Sequence, residues 1–265
     1  MSRNLKLTLA YDGSHFKGWQ VQPQLMTVQG TLAEVIGRVT GEKVLPQGSG
    51  RTDAGVHALA QVASFRTASP IPLRNLLIVL NDRLPPSIRV LRVEEVPDDF
   101  HARHSAQGKT YRYRMYREAI VPPFLANFVT HYPYPLDEDA MAAAAGLVIG
   151  EHDFTSFAAV DPDSAERSAG SPASIEDASV AVKHATNVRT IYRSEFQRLG
   201  DELVYTVRGN GFLHHMVRNL VGTFLLVGKG TLKAEDIPRI LAAKNRSSAG
   251  ATAPAEGLYL VEVEY

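Results

Sequence analysis

The sequence predicts an α+β chain built on a largely antiparallel sheet. Three observations carry this reading. Several runs alternate apolar and polar residues with a period of two. Segments with apolar residues at i, i+3 and i+4 are interspersed among them. One pair of extended runs is joined by only Leu199-Gly200-Asp201, a hairpin link too short for a parallel crossover. Taken in order, Leu5, Leu7, Leu9 and Tyr11 alternate with Lys6, Thr8 and Ala10, the pattern of a half-buried strand. Thr27 can cap a helix whose apolar stripe is Leu32, Val35, Ile36 and Val39, and Gly41 is its stop. Residues 58–66 read as a strand, 72–82 as a short buried helix ended before Pro85 and Pro86, and 88–96 and 109–117 as further strands. A second round begins near Leu136. Asp137, Glu138 and Asp139 suit a helix N-terminus through its dipole, and that helix is expected to run through the alanine-rich stretch to about residue 149. Strands 189–198 and 202–208 follow, then a helix over 215–227 with Val217, Leu220, Phe224 and Val227 on one stripe. A helix over 236–243 and a closing strand over 258–265 complete the chain. Two rounds of similar order suggest two halves, 1–105 and 106–265. Within the second, 161–185 is rich in Ser, Ala, Pro and acids and poor in large apolar residues, so a mobile loop is expected there.

The bulk composition restricts the function classes. With 265 residues, 45% of them hydrophobic, the chain can bury a large core. No apolar run approaches the eighteen or so residues of a membrane helix, and no signal-peptide pattern precedes the first strand. There is no cysteine, which excludes disulfides and thiolate metal sites and makes the cytoplasm the expected location. Lys plus Arg equals Asp plus Glu at 28 each, so a nucleic-acid protein would have to concentrate its positive charge. Between His101 and Arg117 stand Arg103, Lys109, Arg112, Arg114 and Arg117 and no acid. Such a run is either a nucleic-acid surface or a solvated strand edge kept from aggregating by its charge.

Chemistry is most concentrated in Gly48-Ser49-Gly50-Arg51-Thr52-Asp53-Ala54-Gly55-Val56-His57. A carboxylate stands two residues after a guanidinium, in a glycine-rich turn that feeds a strand. Two readings stand: a structural ion pair or Asx-turn, or an aspartate that works as an anion, as nucleophile or electrostatic stabiliser. No Gly-Lys-Ser/Thr follows, so this is not a phosphate loop. A strand rather than a helix follows, so it is not a dinucleotide fingerprint. Tyr111, Tyr113 and Met115 share one face of strand 109–117, which by itself reads as core, while Arg112 and Arg114 point the other way. His101, His104, His214 and His215 match no common zinc spacing, and a metal site is not expected.

Gly50-Arg51-Thr52-Asp53-Ala54-Gly55-Val56-His57 resembles the signature of the TruA family of tRNA pseudouridine synthases. Other segments agree in the family's order: Tyr11-Asp12-Gly13-Ser14 with Gly18-Trp19-Gln20, Phe100-His101-Ala102-Arg103, Lys109-Thr110-Tyr111-Arg112-Tyr113, Phe212 to Asn219, and Ala255 to Leu260. The likeness covers nearly the whole chain except 161–185.

The resemblance implies two ferredoxin-like halves whose sheets join, with the active cleft between them. It also implies an isomerase that converts uridine to pseudouridine in the anticodon stem-loop of tRNA, at positions 38 to 40 in tRNA numbering. Asp53 would be the nucleophile, attacking carbon or removing a ribose proton, and Arg218 its partner in keeping it ionised and oriented. Tyr111 would be the platform under the uracil, its hydroxyl available for the C5 proton. Arg51 would touch the RNA backbone or help evict the target base. Phe100, His101, Ala102, Arg103 and His104 would hold RNA. No cofactor is chemically required, since nothing is oxidised and nothing leaves. A homodimer sharing one tRNA is implied. Two other functions stay open on the residues alone: a non-catalytic RNA-binding protein on the same fold, and a retaining glycosidase or nucleosidase, against which stands the lack of a second acid in the motifs of Asp53, Tyr111 and Arg218.

Overall fold

A computed structural model of the chain describes residues 2–159 and 186–265. The expected loop over 161–185 lies outside the described residues. By packing, the chain divides into two compact units: the residues up to Tyr132 together with Pro254–Tyr265, and Pro133–Ala253. This division does not follow chain order, whereas the expected halves 1–105 and 106–265 do.

In the first unit the chain forms β1 (Arg3–Tyr11), α1 (Val28–Thr40), β2 (Gln47–Gly48), β3 (His57–Thr67), α2 (Leu73–Arg83), β4 (Ile88–Val96), β5 (Gly108–Tyr116) and β6 (Thr130–His131). A strand from the C-terminal stretch, Leu258–Glu264, completes this unit's sheet in the order β4-β1-β3, the closing strand, β5. The pairings are antiparallel, except that the closing strand runs parallel to β3 and β6 runs parallel to β5. Alternation decides the faces. Leu5, Leu7 and Leu9 are fully buried, and α2 packs on β4 and against α1. The helix α1 starts and stops as its sequence requires. Thr27 accepts a hydrogen bond from the Gly30 amide at 3.3 Å, and Gly41 takes the left-handed conformation at φ 75° and ties its N–H to Gly37 at 2.9 Å.

In the second unit stand α3 (Glu138–Gly146), β7 (Gly150–Asp153), β8 (Val188–Leu199), β9 (Glu202–Gly209), α4 (Met216–Gly228) and α5 (Asp236–Ala243). With these in place the closing strand is β10. β7, β8 and β9 form an antiparallel ladder, and α3 packs against α4 and β8. Phe196, Tyr205 and Phe224 meet edge to face or tilted in its core at centroid distances of 4.9–5.8 Å. The expectation of a helix to about residue 149 is corrected. The helix α3 ends at Gly146, and Gly150 to Asp153 extend to pair with Ile191 to Val188 of β8. The apolar Leu147-Val148-Ile149 run continues the composition of the helix but forms a turn, its amides donating to the carbonyls of Ala144, Ala145 and Gly146, and the strand that follows pairs with a partner distant in sequence.

Candidate active site

The strand β3 opens at His57, and the residues before it form the loop that carries Asp53. The loop leaves β2 at Gly48, crosses Arg51 and Asp53, and returns through a turn in which the Val56 amide donates to the Asp53 carbonyl at 3.1 Å. Asp53 is half-buried and Arg51 exposed. The sequence turn Gly18-Trp19-Gln20 builds one wall. The Trp19 amide donates to the Thr52 carbonyl at 3.0 Å, and Gln20 accepts from the Arg51 guanidinium at 3.1 Å. Gly18 has φ +90°, and a Cβ there would lie 2.8 Å from the Thr52 carbonyl oxygen, so only glycine lets this turn lie against the loop. Trp19 is 2% exposed, and its ring occupies the space above Gly48.

The strand β5 brings Tyr111 to the same place. Tyr111 lies opposite Leu260 of β10, which in turn lies opposite Ala58 of β3, and Ala58 faces Tyr11 across β1. The phenol is buried, and its pKa is driven upward by that burial first and then by its neighbours Tyr11 and Asp53. It therefore stays a protonated hydroxyl through the neutral range. The face of Tyr111, Tyr113 and Met115, which by itself reads as core, is buried at all three positions.

The segment from Phe100 to His104 sits further along β3. The Ala102 amide donates to the Ser64 hydroxyl at 3.0 Å, and Asn4 donates to the carbonyls of Pro97 and Phe100 at 3.0 and 2.8 Å. The Phe100 ring meets Tyr265 at 4.9 Å, and the Tyr265 hydroxyl donates to the Ala102 carbonyl at 2.7 Å. Arg103 and His104 are exposed. Nδ1 of His101 accepts from the Arg103 amide at 3.1 Å, so this nitrogen shapes the turn. Ser64 is six residues beyond Ala58, about 20 Å at roughly 3.3 Å per strand residue, so these residues mark a second station along the same sheet.

Arg218 belongs to the other unit. It lies in the first turn of α4, where its Nε donates to the Ala253 carbonyl at 2.7 Å and its own carbonyl accepts from the Ala253 amide at 3.1 Å. Asn219 beside it is fully buried. It donates to the Phe157 carbonyl at 2.7 Å and accepts from Thr252 at 2.7 Å and Arg246 at 2.9 Å. His215, at the helix start, is left-handed with φ 58°, and its ring lies 3.9 Å from that of His214.

Several residues at the site were not singled out from sequence. Tyr11 shares a hydrogen bond with Thr52, and Gln61 and Lys109 hold the loop's first limb. His57, opposite Asp12, is 1% exposed. Burial keeps its imidazole below the usual pKa against the pull of the Asp12 carboxylate. Tyr11, Thr52, His57 and Lys109 stood inside the quoted motifs with nothing to set them apart from strand residues, and Gln61 stood only in the strand expected over 58–66.

Comparison with known proteins gives the family. A family model described as tRNA pseudouridine synthase matches residues 8–105 and 144–265. The chain is 49% identical over 263 residues to a tRNA pseudouridine synthase A of Solibacter usitatus, covering 99% of this chain and 100% of that protein. It is 45% identical to the protein of that name in Brevibacillus brevis and 43% to that in Caldicellulosiruptor bescii, in each case over 263 residues, 99% of this chain and 100% of the relative. A likeness that runs the length of the chain and includes the Asp53 loop, β5 and α4 leaves one assignment: the chain belongs to the tRNA pseudouridine synthase family, enzymes that isomerise uridine to pseudouridine in tRNA.

Proposed function

We propose that this tRNA pseudouridine synthase acts on uridines of the anticodon stem-loop, positions 38 to 40 in tRNA numbering, with Asp53 as its nucleophile. The observation that carries the reading is a half-buried carboxylate on a braced glycine-rich loop, whose charge is felt by the buried phenol of Tyr111. In the reaction the bond from the ribose C1′ to uracil N1 breaks, the base turns, and C1′ joins C5. The proton lost from C5 is balanced by the one gained at N1. Asp53 supplies the anion that meets the sugar once the base has left, or takes a ribose proton. Tyr111 supports the loose uracil by stacking, worth about 1–3 kcal/mol per base, and its hydroxyl is available to help move the C5 proton. Arg218 pairs with Asp53, and its anchorage to Ala253 supports a fixed guanidinium. Arg51 meets the RNA backbone beside the evicted base. The residues from Phe100 to His104 hold the RNA further along, which suits recognition by shape and backbone.

The same reading includes a homodimer that shares one tRNA, ferredoxin-like halves over 1–105 and 106–265 with the cleft between them, and a cytoplasmic location. No described helix is long and apolar enough to cross a membrane. The chemistry requires no cofactor. The test is tritium release from tRNA labelled at uracil C5, with Asp53→Asn in parallel. Release by the wild type and none by the variant supports the reading. Full activity in Asp53→Asn removes the nucleophile assignment, and release of free uracil in place of pseudouridine would instead make the protein a nucleosidase. Mapping pseudouridine in the product RNA to sites outside 38 to 40 would overturn the choice of stem-loop.

A further inference from the structure

We propose that Tyr11 is a positioning residue for the reaction: its hydroxyl, with Gln61 and Lys109, sets the loop so that Asp53 meets its substrate. This rests on the reading of Asp53 as nucleophile and adds residues to that site. An irregular segment leaves backbone groups that need partners, and here the partners come from three strands. Regular pairing ends at Ser49, whose amide donates to the Val62 carbonyl at 2.8 Å. Beyond that point side chains replace the ladder. Gln61 of β3 is fully buried. Its Oε1 accepts from the Ser49 hydroxyl at 2.7 Å, and its Nε2 donates to the Gly50 carbonyl at 3.0 Å. Lys109 of β5 donates through Nζ to the Ser49 carbonyl at 2.7 Å, and a Cβ on Gly50 would sit 2.8 Å from that nitrogen. Glycine at position 50 thus leaves room for the ammonium.

Of these three side chains, Tyr11 of β1 reaches the residue adjoining Asp53. Its hydroxyl lies 2.8 Å from Oγ1 of Thr52, the residue before Asp53, and that contact is buried. Burial, against the hydrogen bonds from Thr52 and Gln61, pushes the phenol's pKa up to about 12, so the hydroxyl keeps its proton at neutral pH. The Thr52 carbonyl is held on its other side by the Trp19 amide. The peptide leading into Asp53 is therefore fixed from both directions. A reacting group displaced by about 1 Å loses on the order of 100-fold in rate, so a hydroxyl that restrains the neighbouring residue acts on turnover without touching substrate.

The test measures kcat and KM by tritium release, with the melting midpoint, for Tyr11→Phe, Thr52→Val, Thr52→Ser and the double variant Tyr11→Phe/Thr52→Val. Asp53→Asn serves as the control for the underlying reading. Tyr11→Phe and Thr52→Val are each expected to lower kcat about tenfold or more, with KM for tRNA within about twofold. The double variant should be no slower than either single variant, because both remove the same contact. Thr52→Ser, which keeps the hydroxyl, should stay near wild type. A wild-type kcat in Tyr11→Phe overturns the proposal, even if its melting midpoint falls. So do two independent, multiplying losses in the double variant. If Tyr11→Phe fails to fold, the comparison of Thr52→Val with Thr52→Ser decides alone, and equal rates in that pair overturn it. Full activity in Asp53→Asn would instead refute the nucleophile reading on which this one stands, and the two failures are separated by that single control.

Discussion

Replacing Gly250 with alanine puts a methyl group where backbone already lies. A Cβ at Gly250 would sit 2.6 Å from the Gly222 carbonyl oxygen, 2.7 Å from its carbon and 2.8 Å from the Thr223 amide nitrogen. Ordinary contact begins near 3.4 Å, so the strand of chain and the helix must part by about 0.6–0.8 Å. None of the three atoms is the end of a side chain that could swing away. Overpacking of this kind costs about 1–3 kcal/mol. Parting also strains the bond from the Gly250 amide to the Thr223 hydroxyl, 2.9 Å, and that from the Ala253 amide to the Arg218 carbonyl, 3.1 Å, each worth about 0.5–1.5 kcal/mol. The expected loss is about 3–4 kcal/mol. At roughly 2–4 °C per kcal/mol the melting midpoint should fall by about 6 °C or more. Urea unfolding followed by circular dichroism measures the loss. Because the displaced segment also carries the carbonyl that anchors Arg218, turnover below the melting transition should fall together with stability. A loss under about 1 kcal/mol would refute the close approach between this segment and α4.

Three further outcomes follow from the first unit. His57 has its pKa lowered, so it is neutral when folded and protonates first in the unfolded chain, whose histidine titrates near about 6.5. Its contribution is therefore complete above that pH and is lost as pH falls through it toward the folded value. Urea midpoints between pH 7.5 and 5 should drop more steeply in wild type than in His57→Gln, and equal slopes would refute the assignment. For Asp12, burial works to raise the pKa, but hydrogen bonds from Ser14 outweigh it, so the pKa is lowered and its window lies below about 3.9, outside that range. Tyr113 is fully buried, with its hydroxyl 2.6 Å from Thr130 Oγ1 and donating to the Pro254 carbonyl at 2.9 Å. Tyr113→Phe should cost about 1–3 kcal/mol in urea unfolding by stranding both partners. Tyr111→Phe should keep its affinity for tRNA, since the ring remains, and lose tritium release, while Tyr111→Leu loses both. A wild-type rate in the phenylalanine variant would show that the hydroxyl has no essential part.

Most elements were legible because local rules and tertiary demands agree. The alternation of Leu5, Leu7 and Leu9 and the Thr27 and Gly41 signals around α1 specify strand and helix whatever surrounds them. The Asp53 loop was legible for a different reason: glycines, a guanidinium and a carboxylate seldom cluster without a demand on the backbone. The short strands β2, β6 and β7 were not legible. Two to four residues carry no period, and their conformation comes from partners such as Ser64, Met115 and Ile191, remote in sequence.

By itself, the sequence determined the α+β class, the main strands and helices, the motif around Asp53 and the family likeness. The tertiary structure decided that β10 enters between β3 and β5, drawing Tyr111 into one row with Leu260, Ala58 and Tyr11. It also decided that Gln61, Lys109 and Tyr11 serve the loop rather than the core or the surface. The physical reason is the same in each case. Side-chain periodicity reports which face a residue occupies, but the partner of a buried hydroxyl, amide or ammonium depends on strand order and register, which contacts between distant segments set.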